Sequence, residues 1–314
     1  MAEAMAVPRG RLAPSPTGNL HLGHARTFLL AWLHVRSRGG EICVRQEDLD
    51  ASRSRPELAA GVLRDLEWLG IDWDGPVVSQ SDRVDQLRAA AKRLHAAGFA
   101  YPCVCTRADL RSAVSAPQRG VDEQRYAGTC RGKPAAEVSM RPFALRFLVP
   151  PGQSMFVDGI AGEQRFDVAA EVGDFMIQNR AGVPSYQLAV VVDDAASGVT
   201  EVFRGDDLLS STPRQILLID ALGLPRPRWY HAPLVLDAAG RRLAKRADDL
   251  ALATLRSAGV DPRAIVAWAL SSAGFNVGAR VTAREACSMF DLDRMRREPV
   301  LLSDDVVAAL WAAR

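Results

Sequence analysis

The stretch that decides the fold lies near the start of the chain and reads RLAPSPTGNLHLGH over residues 11–24. It is rich in proline and glycine, and apolar residues then recur with a period near 3.6 as far as Gly39. This pattern predicts a strand that ends near Ala13 and a helix that begins around His21 to Gly23. Because backbone N–H groups at a helix start bind anions, we predict a phosphate site here.

Two histidines and two glycines in this stretch suit a phosphate. Gly18 and Gly23 let a phosphate or an adenine approach the backbone closely. His21 and His24 are three residues apart, so both face the same side of the first helical turn. They can donate hydrogen bonds to a phosphoryl oxygen as charge builds on it. Histidines at a helix start also serve as caps or surface residues, and the motif alone leaves that alternative open.

Strands and helices alternate through most of the chain, which predicts an α/β unit with a parallel sheet. Predicted strands cover residues 41–45, 199–204 and 229–236, and predicted helices cover 56–69, 84–97 and 212–222. An apolar helix near Leu188 is expected to end at Asp193 and Asp194. Between these parts lies a region of different architecture, with strand-like pieces at 143–149, 155–158 and 171–177. From Leu250 onward the sequence reads as helical.

A carboxylate cluster follows the second predicted strand. Glu47, Asp48 and Asp50 fall at the carboxyl end of that strand, where open α/β sheets bind ligands. Three nearby carboxylates repel one another unless a cation or an ammonium group lies among them. The alternative is an exposed acidic turn.

Arg204 lies at the end of a later strand. Arginine binds carboxylates bidentately, so a pocket with Arg11 and Arg204 suits a dicarboxylic amino acid. The alternative for Arg204 is an ion pair with Asp206 or Asp207.

A basic loop, RRLAKR over residues 241–246, follows a predicted turn. Such a loop can close over a triphosphate and neutralise charge that moves to pyrophosphate. A solvated surface or an RNA-binding patch is the alternative.

Three of the five cysteines lie close together, at Cys103, Cys105 and Cys130. In a reducing compartment such a cluster suggests a metal, and structural zinc takes four ligands. Candidates for the fourth are Tyr126, Asp122, Glu123, Asp109 or a water. Three reduced thiols without metal are the alternative.

Composition bounds the class of protein. The 314 residues carry a formal charge of +2, which neither indicates nor excludes a nucleic-acid partner. The first ten residues lack the apolar run of a signal peptide, and no run reaches the length of a membrane span. We therefore expect a cytoplasmic monomer that does not enter a membrane.

The motifs resemble the glutamyl-tRNA synthetase family of class I aminoacyl-tRNA synthetases. PSPTGNLHLGH resembles the family's "HIGH" region, and RLAPS before it resembles the glutamate-specific members. PSYQL at 184–188 and VFRGDDL at 202–208 resemble the second substrate elements. RLAKR occupies the place of the "KMSKS" loop, although Arg242 replaces its first lysine and Ala244 its serine.

The resemblance implies an α/β fold with a Rossmann-type parallel sheet, an inserted zinc-containing subdomain and a short helical C-terminal segment. The expected parts are a first catalytic half over 1–102, the insertion over 103–185, a second catalytic half over 186–250 and the helical segment over 251–314. It also implies structural Zn²⁺ on Cys103, Cys105, Tyr126 and Cys130, and Mg²⁺ with ATP.

The resemblance assigns site residues by position. For glutamate these are Arg11, Leu12, Ala13, Pro14, Ser15, Glu47, Tyr186 and Arg204. For ATP they are Thr17, Gly18, His21, Gly23, His24, Arg242 and Lys245. Of these, His21, His24 and Lys245 are expected to be catalytic.

Because only a short stretch follows the basic loop, the chain resembles the glutamyl-queuosine tRNA(Asp) synthetase branch, which lacks an anticodon-binding region. The resemblance implies ATP, L-glutamate and queuosine-bearing tRNA(Asp) as partners, and activation that proceeds without tRNA. Two alternatives are a shortened glutamyl-tRNA synthetase that charges a tRNA 3′ end and a non-catalytic RNA- or nucleotide-binding protein.

Overall fold

The computed structural model describes residues 7–106, 125–134, 138, 141–241, 243 and 250–314. In chain order its strands are β1 (Arg9–Leu12), β2 (Glu41–Gln46), β3 (Val78–Ser79), β4 (Ala100–Cys103), β5 (Ala144–Phe147), β6 (Ser154–Asp158), β7 (Gly162–Phe166), β8 (Met176–Gln178), β9 (Glu201–Gly205), β10 (Arg228–Ala232), β11 (Val235–Leu236) and β12 (Val300–Leu301). Its helices are α1 (Leu22–Arg36), α2 (Pro56–Trp68), α3 (Val84–Ala96), α4 (Val168–Glu171), α5 (Tyr186–Ala196), α6 (Thr212–Leu222), α7 (Leu252–Ser257), α8 (Pro262–Ser272), α9 (Ala283–Cys287) and α10 (Asp304–Ala312).

The central sheet has five strands in the order β10–β9–β1–β2–β3, and its neighbouring strands are parallel. This confirms the predicted parallel α/β fold. The second and third strands in chain order, β2 and β3, lie on one side of β1, and β9 and β10, which follow much later in the chain, lie on the other side. The carboxyl ends of β1, β2 and β9 therefore meet at one edge, which is where ligands bind in such sheets.

Helix α1 packs against the central sheet through buried leucines. Leu22, Leu30 and Leu33 are fully buried, and the helix contacts β1, β9 and α8. The turn that precedes β2 passes close to the start of β1, since a Cβ atom on Gly40 would lie 2.3 Å from the carbonyl oxygen of Pro8. This close approach joins the amino ends of β1 and β2, which lie side by side in the sheet.

The insertion has two sheets of its own. Strands β4, β5 and β8 form an antiparallel sheet, and β6 and β7 form a hairpin. The strand predicted over 171–177 was wrong in its first part. The Asp167 side chain accepts a hydrogen bond from the Ala170 N–H and so caps helix α4, which leaves only Met176–Gln178 extended.

Helix α5 does not end at its acidic pair. The prediction was wrong because Asp193 and Asp194 are buried and paired within the helix, which continues to Ala196. Asp193 binds Arg83, and Asp194 binds Arg45. Paired carboxylates can be buried inside a helix, so their charge is no stop signal.

The remaining predictions need small corrections. The strand predicted over 229–236 is two strands, β10 and β11, separated at Pro233. The part of the chain after Leu250 consists of helices joined by loops, together with β12, which pairs with β11. Within the described ranges, no helix has both the length and the apolar character needed to cross a membrane.

Candidate active site

A cavity of about 880 Å³ opens at the carboxyl ends of the parallel strands. The predicted site residues that line it are Arg11, Ala13, Pro14, Ser15, Thr17, Gly18, His21, Gly23, His24, Glu47, Tyr186 and Arg204. Leu12 does not line it, because strand β1 alternates its side chains and Leu12 lies fully buried in the core. Arg242 and Lys245 lie outside the described residues, but Leu243 between them lines the cavity.

His21 and His24 act as caps and also line the cavity. Nδ1 of His21 accepts a hydrogen bond from the Gly23 N–H at 3.1 Å, and Nδ1 of His24 accepts one from the His21 N–H at 3.3 Å. The rings stack with their centroids 3.7 Å apart. Since each Nδ1 accepts, the neutral rings carry their protons on Nε2, as a hydrogen-bond donor to a phosphoryl oxygen requires. The capping alternative and the anion-binding hypothesis are therefore compatible.

Charged side chains alternate at one wall of the cavity, where Glu47 and Arg11 line the cavity and Arg45 and Asp194 are buried without lining it. Arg45 donates from Nη1 to Asp194 at 2.5 Å and from Nη2 to Glu47 at 3.1 Å. Arg11 lies on the other side of Asp194, with Nε 3.5 Å from Oδ2, and donates from Nη1 to the Phe203 carbonyl at 3.0 Å. The Glu47 N–H also donates to the Pro14 carbonyl, which ties β2 to the loop after β1.

Burial shapes the charges of this wall. Burial raises the pKa of Glu47, because the positive charges of Arg45 and Arg11 compensate only in part for the water that the carboxylate loses. For Asp194 burial acts in the same direction, but Arg45 and Arg11 outweigh it and hold its pKa below the usual range. Asp194 is thus an ionised carboxylate shared by two arginines, whereas Glu47 retains capacity for a further cation.

Arg204 lies at the end of β9 opposite this wall. Its Nε donates to Nε2 of His231 at 3.0 Å, and its Nη2 donates to the Thr212 hydroxyl at 2.9 Å. Nη1 lies 3.5 Å from the Tyr186 hydroxyl. The alternative of an ion pair with Asp206 or Asp207 is wrong, because His231 and Thr212 hold the guanidinium instead. Burial lowers the pKa of Arg204 and raises that of Tyr186.

The three carboxylates after β2 do not surround one ligand. Asp48 accepts hydrogen bonds from the N–H and hydroxyl of Ser81, and Asp50 pairs with Arg53. Only Glu47 of the three is held by a buried arginine. Glu47 and Asp50 line the cavity, and of the two only Glu47 accepts a hydrogen bond from Arg45.

Four residues that support the site were not predicted: Arg45, Asp194, His231 and Asp158. Arg45 stands two residues before Glu47, and residues two apart on a strand share a face, so this contact was readable from the sequence. Asp194 follows Tyr186 by two helical turns, which also places them on related faces. The contact between Asp158 and His231 joins residues far apart in the chain, and no local pattern signals it.

The three clustered cysteines converge in the insertion. The Sγ atoms of Cys103, Cys105 and Cys130 lie within 4.8 Å of one another. The Tyr126 hydroxyl lies 3.5 Å from Sγ of Cys103 and 3.6 Å from Sγ of Cys105, and it accepts the Cys130 N–H at 2.9 Å. Tetrahedral zinc with bonds of about 2.3 Å separates two sulfurs by about 3.8 Å, which fits these distances. The cluster could hold a metal ion.

Arg146 supports this cluster from the neighbouring strand. Its guanidinium carbon lies 3.8 Å from the Tyr126 ring centroid, and its Nε donates to Sγ of Cys103 at 3.3 Å. Burial favours the neutral thiol, but hydrogen bonds from Tyr126 and Arg146 outweigh it and lower the pKa of Cys103. A thiolate is the form that binds metals.

The parallel sheet, the HLGH helix start and the cavity at the strand ends define a class I tRNA synthetase catalytic domain. The family model "tRNA synthetases class I (E and Q), catalytic domain" matches residues 8–304, and the chain belongs to this family. Within it, the chain is 48% identical to a glutamyl-Q tRNA(Asp) synthetase of Symbiobacterium thermophilum, over 96% of this chain and 98% of that protein. It is 44% identical to a protein of the same name from Nocardia farcinica, over 94% and 93% of the two chains. The resemblance to this branch is confirmed.

Longer relatives match the same region. A glutamate–tRNA ligase of Geobacter sulfurreducens is 43% identical, but the match covers 83% of this chain and 56% of the ligase. The crystal structure of a glutamate tRNA ligase from Elizabethkingia meningosepticum, in complex with its amino acid, superposes with a TM-score of 0.83 at 26% identity. That match covers 96% of this chain and 68% of the ligase, so the chain corresponds to part of each ligase.

Proposed function

We propose that the chain activates L-glutamate with ATP and transfers the glutamyl group to queuosine in the anticodon of tRNA(Asp). One observation carries the activation half. Two buried guanidinium groups, those of Arg11 and Arg204, line the same cavity as Glu47 and the anion-binding start of α1. The acceptor half is supported by the names of the relatives that match over nearly their whole length.

The amino-acid site has a charge pattern that complements glutamate. The Glu47 carboxylate receives the ammonium group, and Arg11 and Arg204 each receive a carboxylate. The Tyr186 hydroxyl, beside Nη1 of Arg204, adds a hydrogen bond. Glutamine would place a neutral amide against a buried arginine and leave that charge without a counter-ion, which is costly in a site with little water.

The nucleotide site lies at the start of α1. The Nε2 protons of His21 and His24, whose rings are held by the N–H groups of Gly23 and His21, bind the phosphates together with backbone N–H groups near Gly18. Thr17 lines the same part of the cavity. Arg242 and Lys245, which lie outside the described residues, complete the proposed ATP site. The Mg²⁺ that accompanies ATP supplies charge neutralisation on the phosphates.

The reaction follows from these positions. A glutamate α-carboxylate oxygen attacks the α-phosphorus of ATP, the bond to the β-phosphate oxygen breaks, and pyrophosphate leaves with the electron pair. His21 and His24 stabilise the charge on the phosphoryl oxygens through hydrogen bonds that strengthen in the transition state. A hydroxyl group of queuosine then attacks the acyl carbon of the adenylate, and AMP leaves.

The first test is glutamate-dependent ATP–pyrophosphate exchange in the absence of tRNA. We expect exchange with L-glutamate and, because of the two arginines, at least about 100-fold lower kcat/KM with L-glutamine. A His24→Ala variant is the matched control for contaminating synthetases and should lose the exchange. Absence of exchange by the wild-type protein, with or without tRNA, would favour a binding protein over an enzyme.

The second half of the test concerns the acceptor. We expect radiolabelled glutamate to be attached to tRNA(Asp) that carries queuosine and not to the same tRNA prepared without it. Periodate does not separate the two acceptors, because it oxidises the diols of both queuosine and the terminal ribose. Equal labelling of both tRNA preparations would instead support charging of a 3′ end.

We also propose that the insertion binds structural Zn²⁺ through Cys103, Cys105, Cys130 and the Tyr126 oxygen. Burial raises the pKa of Tyr126, so the phenol is neutral unless a metal ion displaces its proton. The convergence of the hydroxyl on two thiols supports this donor set. The ion would hold the two ends of the cysteine segment together.

Zinc content provides the measurement for this site. Cys130→Ala is expected to purify with little zinc and with a lower Tm, because removal of one of four ligands leaves the site open. Cys287→Ala, which changes a cysteine outside the cluster, is the control and should retain the metal. Tyr126→Phe should retain the fold but release zinc to a chelator faster. Full zinc occupancy in Cys130→Ala would contradict the assignment.

A further inference from the structure

A buried carboxylate–histidine pair lies beneath Arg204. Asp158 ends strand β6 of the insertion, and His231 lies on β10 of the central sheet. Both side chains are fully buried, and Nδ1 of His231 lies 2.6 Å from Oδ2 of Asp158. The pair lies behind the guanidinium of Arg204 and does not line the cavity. It therefore contacts a site residue without contacting a ligand.

Hydrogen bonding determines the tautomer of His231. The Nε atom of arginine is always a donor, so Nε2 of His231 must accept from Arg204 and carries no proton. The single ring proton then lies on Nδ1 and is donated to Asp158. The Thr212 hydroxyl lies 3.3 Å from the same Nε2 and fits as a second donor. The arrangement requires a neutral imidazole.

The second oxygen of Asp158 anchors the carboxylate. Oδ1 accepts backbone N–H groups from Ile160 at 2.9 Å, Ala161 at 2.8 Å and His231 at 3.1 Å. Burial favours its neutral form, but the hydrogen bonds from His231 and the backbone outweigh it and lower the pKa of Asp158. Burial also lowers the pKa of His231. An ionised Asp158 and a neutral His231 therefore agree with the tautomer.

We propose that His231 and Asp158 are positioning residues for amino-acid binding, which hold the Arg204 guanidinium so that Nη1 faces the substrate. His231 accepts the hydrogen bond that Nε donates, and the Thr212 hydroxyl and the Leu208 carbonyl accept those that Nη2 donates. Nη1, beside Tyr186, is then the group directed at a carboxylate. The proposal rests on the assignment of Arg204 to glutamate binding. It also links the insertion, through Asp158, to substrate affinity.

Asp158→Asn separates this role from ordinary packing. The asparagine oxygen can keep the three backbone N–H bonds, while its amide group replaces Oδ2. That amide donates to Nδ1 of His231 and forces the ring proton onto Nε2, where it meets the Arg204 Nε–H. Two donors then face each other, and the guanidinium must move. The substitution is nearly isosteric, so the change is one of hydrogen-bond direction.

The experiment measures glutamate-dependent exchange for Asp158→Asn, His231→Gln and the double variant. Loss of the partner that orients a metal-binding histidine typically costs about 10- to 100-fold, and we expect KM for glutamate to rise by a similar factor in Asp158→Asn while KM for ATP is unchanged. In His231→Gln the glutamine oxygen can accept from Arg204. The Asp158→Asn change should therefore add little in the His231→Gln background.

Glu201→Gln is the matched control. Glu201 is a buried carboxylate 3.2 Å from His34, on the same strand as Arg204 but at its opposite end. This variant should leave KM for glutamate unchanged even if its Tm falls. Nitrogen-15 spectra of the five histidines should show the proton of the His231 ring on Nδ1 in the wild type and on Nε2 in Asp158→Asn.

The outcomes are distinguishable. A wild-type protein without exchange refutes the proposed function. Normal wild-type exchange with an unchanged glutamate KM in Asp158→Asn refutes the positioning role alone. If Asp158→Asn does not fold, the histidine tautomer of the wild type decides, and a ring proton on Nε2 of His231 refutes the positioning role.

Discussion

Arg204→Lys is expected to lower kcat/KM for glutamate activation by about 100- to 1,000-fold, which corresponds to about 3–4 kcal/mol of lost transition-state binding. The guanidinium makes fixed contacts to His231, Thr212 and the Tyr186 hydroxyl, and a lysine can reproduce neither the fork nor the donor to His231. The buried His231 nitrogen would lose its partner as well. Charge alone would therefore not preserve the site.

Steady-state exchange over a range of glutamate concentrations measures this effect. Arg226→Lys is the control, since Arg226 is half exposed and pairs with Asp220 at the surface. This variant should leave kcat/KM for glutamate unchanged. The loss in Arg204→Lys should fall on glutamate and leave KM for ATP unaltered. A variant that activates glutamate within about threefold of the wild type would mean that charge, not the arginine geometry, determines binding.

The sequence predicts local features of the fold well because their causes are local. The 3.6-residue period from Leu22 places α1 correctly, and the prolines and glycines before it mark the loop of the proposed anion site. Helix α6 has the predicted bounds, Thr212–Leu222, with Pro213 in its first turn and Gly223 in the left-handed conformation at its end. Such signals act within a few residues.

Apart from the contact between Arg45 and Glu47, the contacts that support the site could not be predicted, because they join residues that are distant in sequence. From the sequence alone, Asp193 and Asp194 suggest the exposed end of a helix, because their partners Arg83 and Arg45 lie on other elements of the fold. Arg204 was predicted from its type, but the residue that holds it, His231, is reached only when β9 and β10 pair. Parallel pairing of strands fixes these partners, and no local periodicity encodes it.

Arg45→Met is expected to lower the free energy of unfolding by about 3–5 kcal/mol, the cost of leaving a buried charge without its partner. Arg45 is almost fully buried between Asp194 and Glu47. Without it, Asp194 retains only the longer contact with Arg11, and Glu47 loses its hydrogen-bonded cation. Methionine fills a similar volume, so the loss reflects charge more than packing.

Denaturant unfolding at several pH values tests this prediction, with Arg83→Met as the matched control. Arg83 also pairs with a buried aspartate, but its side chain is about one quarter exposed, and Asp193 keeps a hydrogen bond from Gln80. Its loss should therefore be clearly smaller. Equal losses for the two variants would contradict the electrostatic explanation.

The dependence of the unfolding free energy on pH shows whether charge or packing causes the loss in Arg45→Met. In the wild type the pKa of Asp194 is depressed, so its contribution to stability is present above the unfolded value of about 4 and is lost as pH falls through the folded value. Removal of Arg45 raises the pKa of Asp194 and raises that of Glu47 further, so the folded variant binds protons that the unfolded chain does not. Its stability must then increase as pH falls through these raised folded values toward the unfolded values of about 4. The difference in unfolding free energy between wild type and Arg45→Met should narrow over that range, and a constant difference would show that packing rather than charge is responsible.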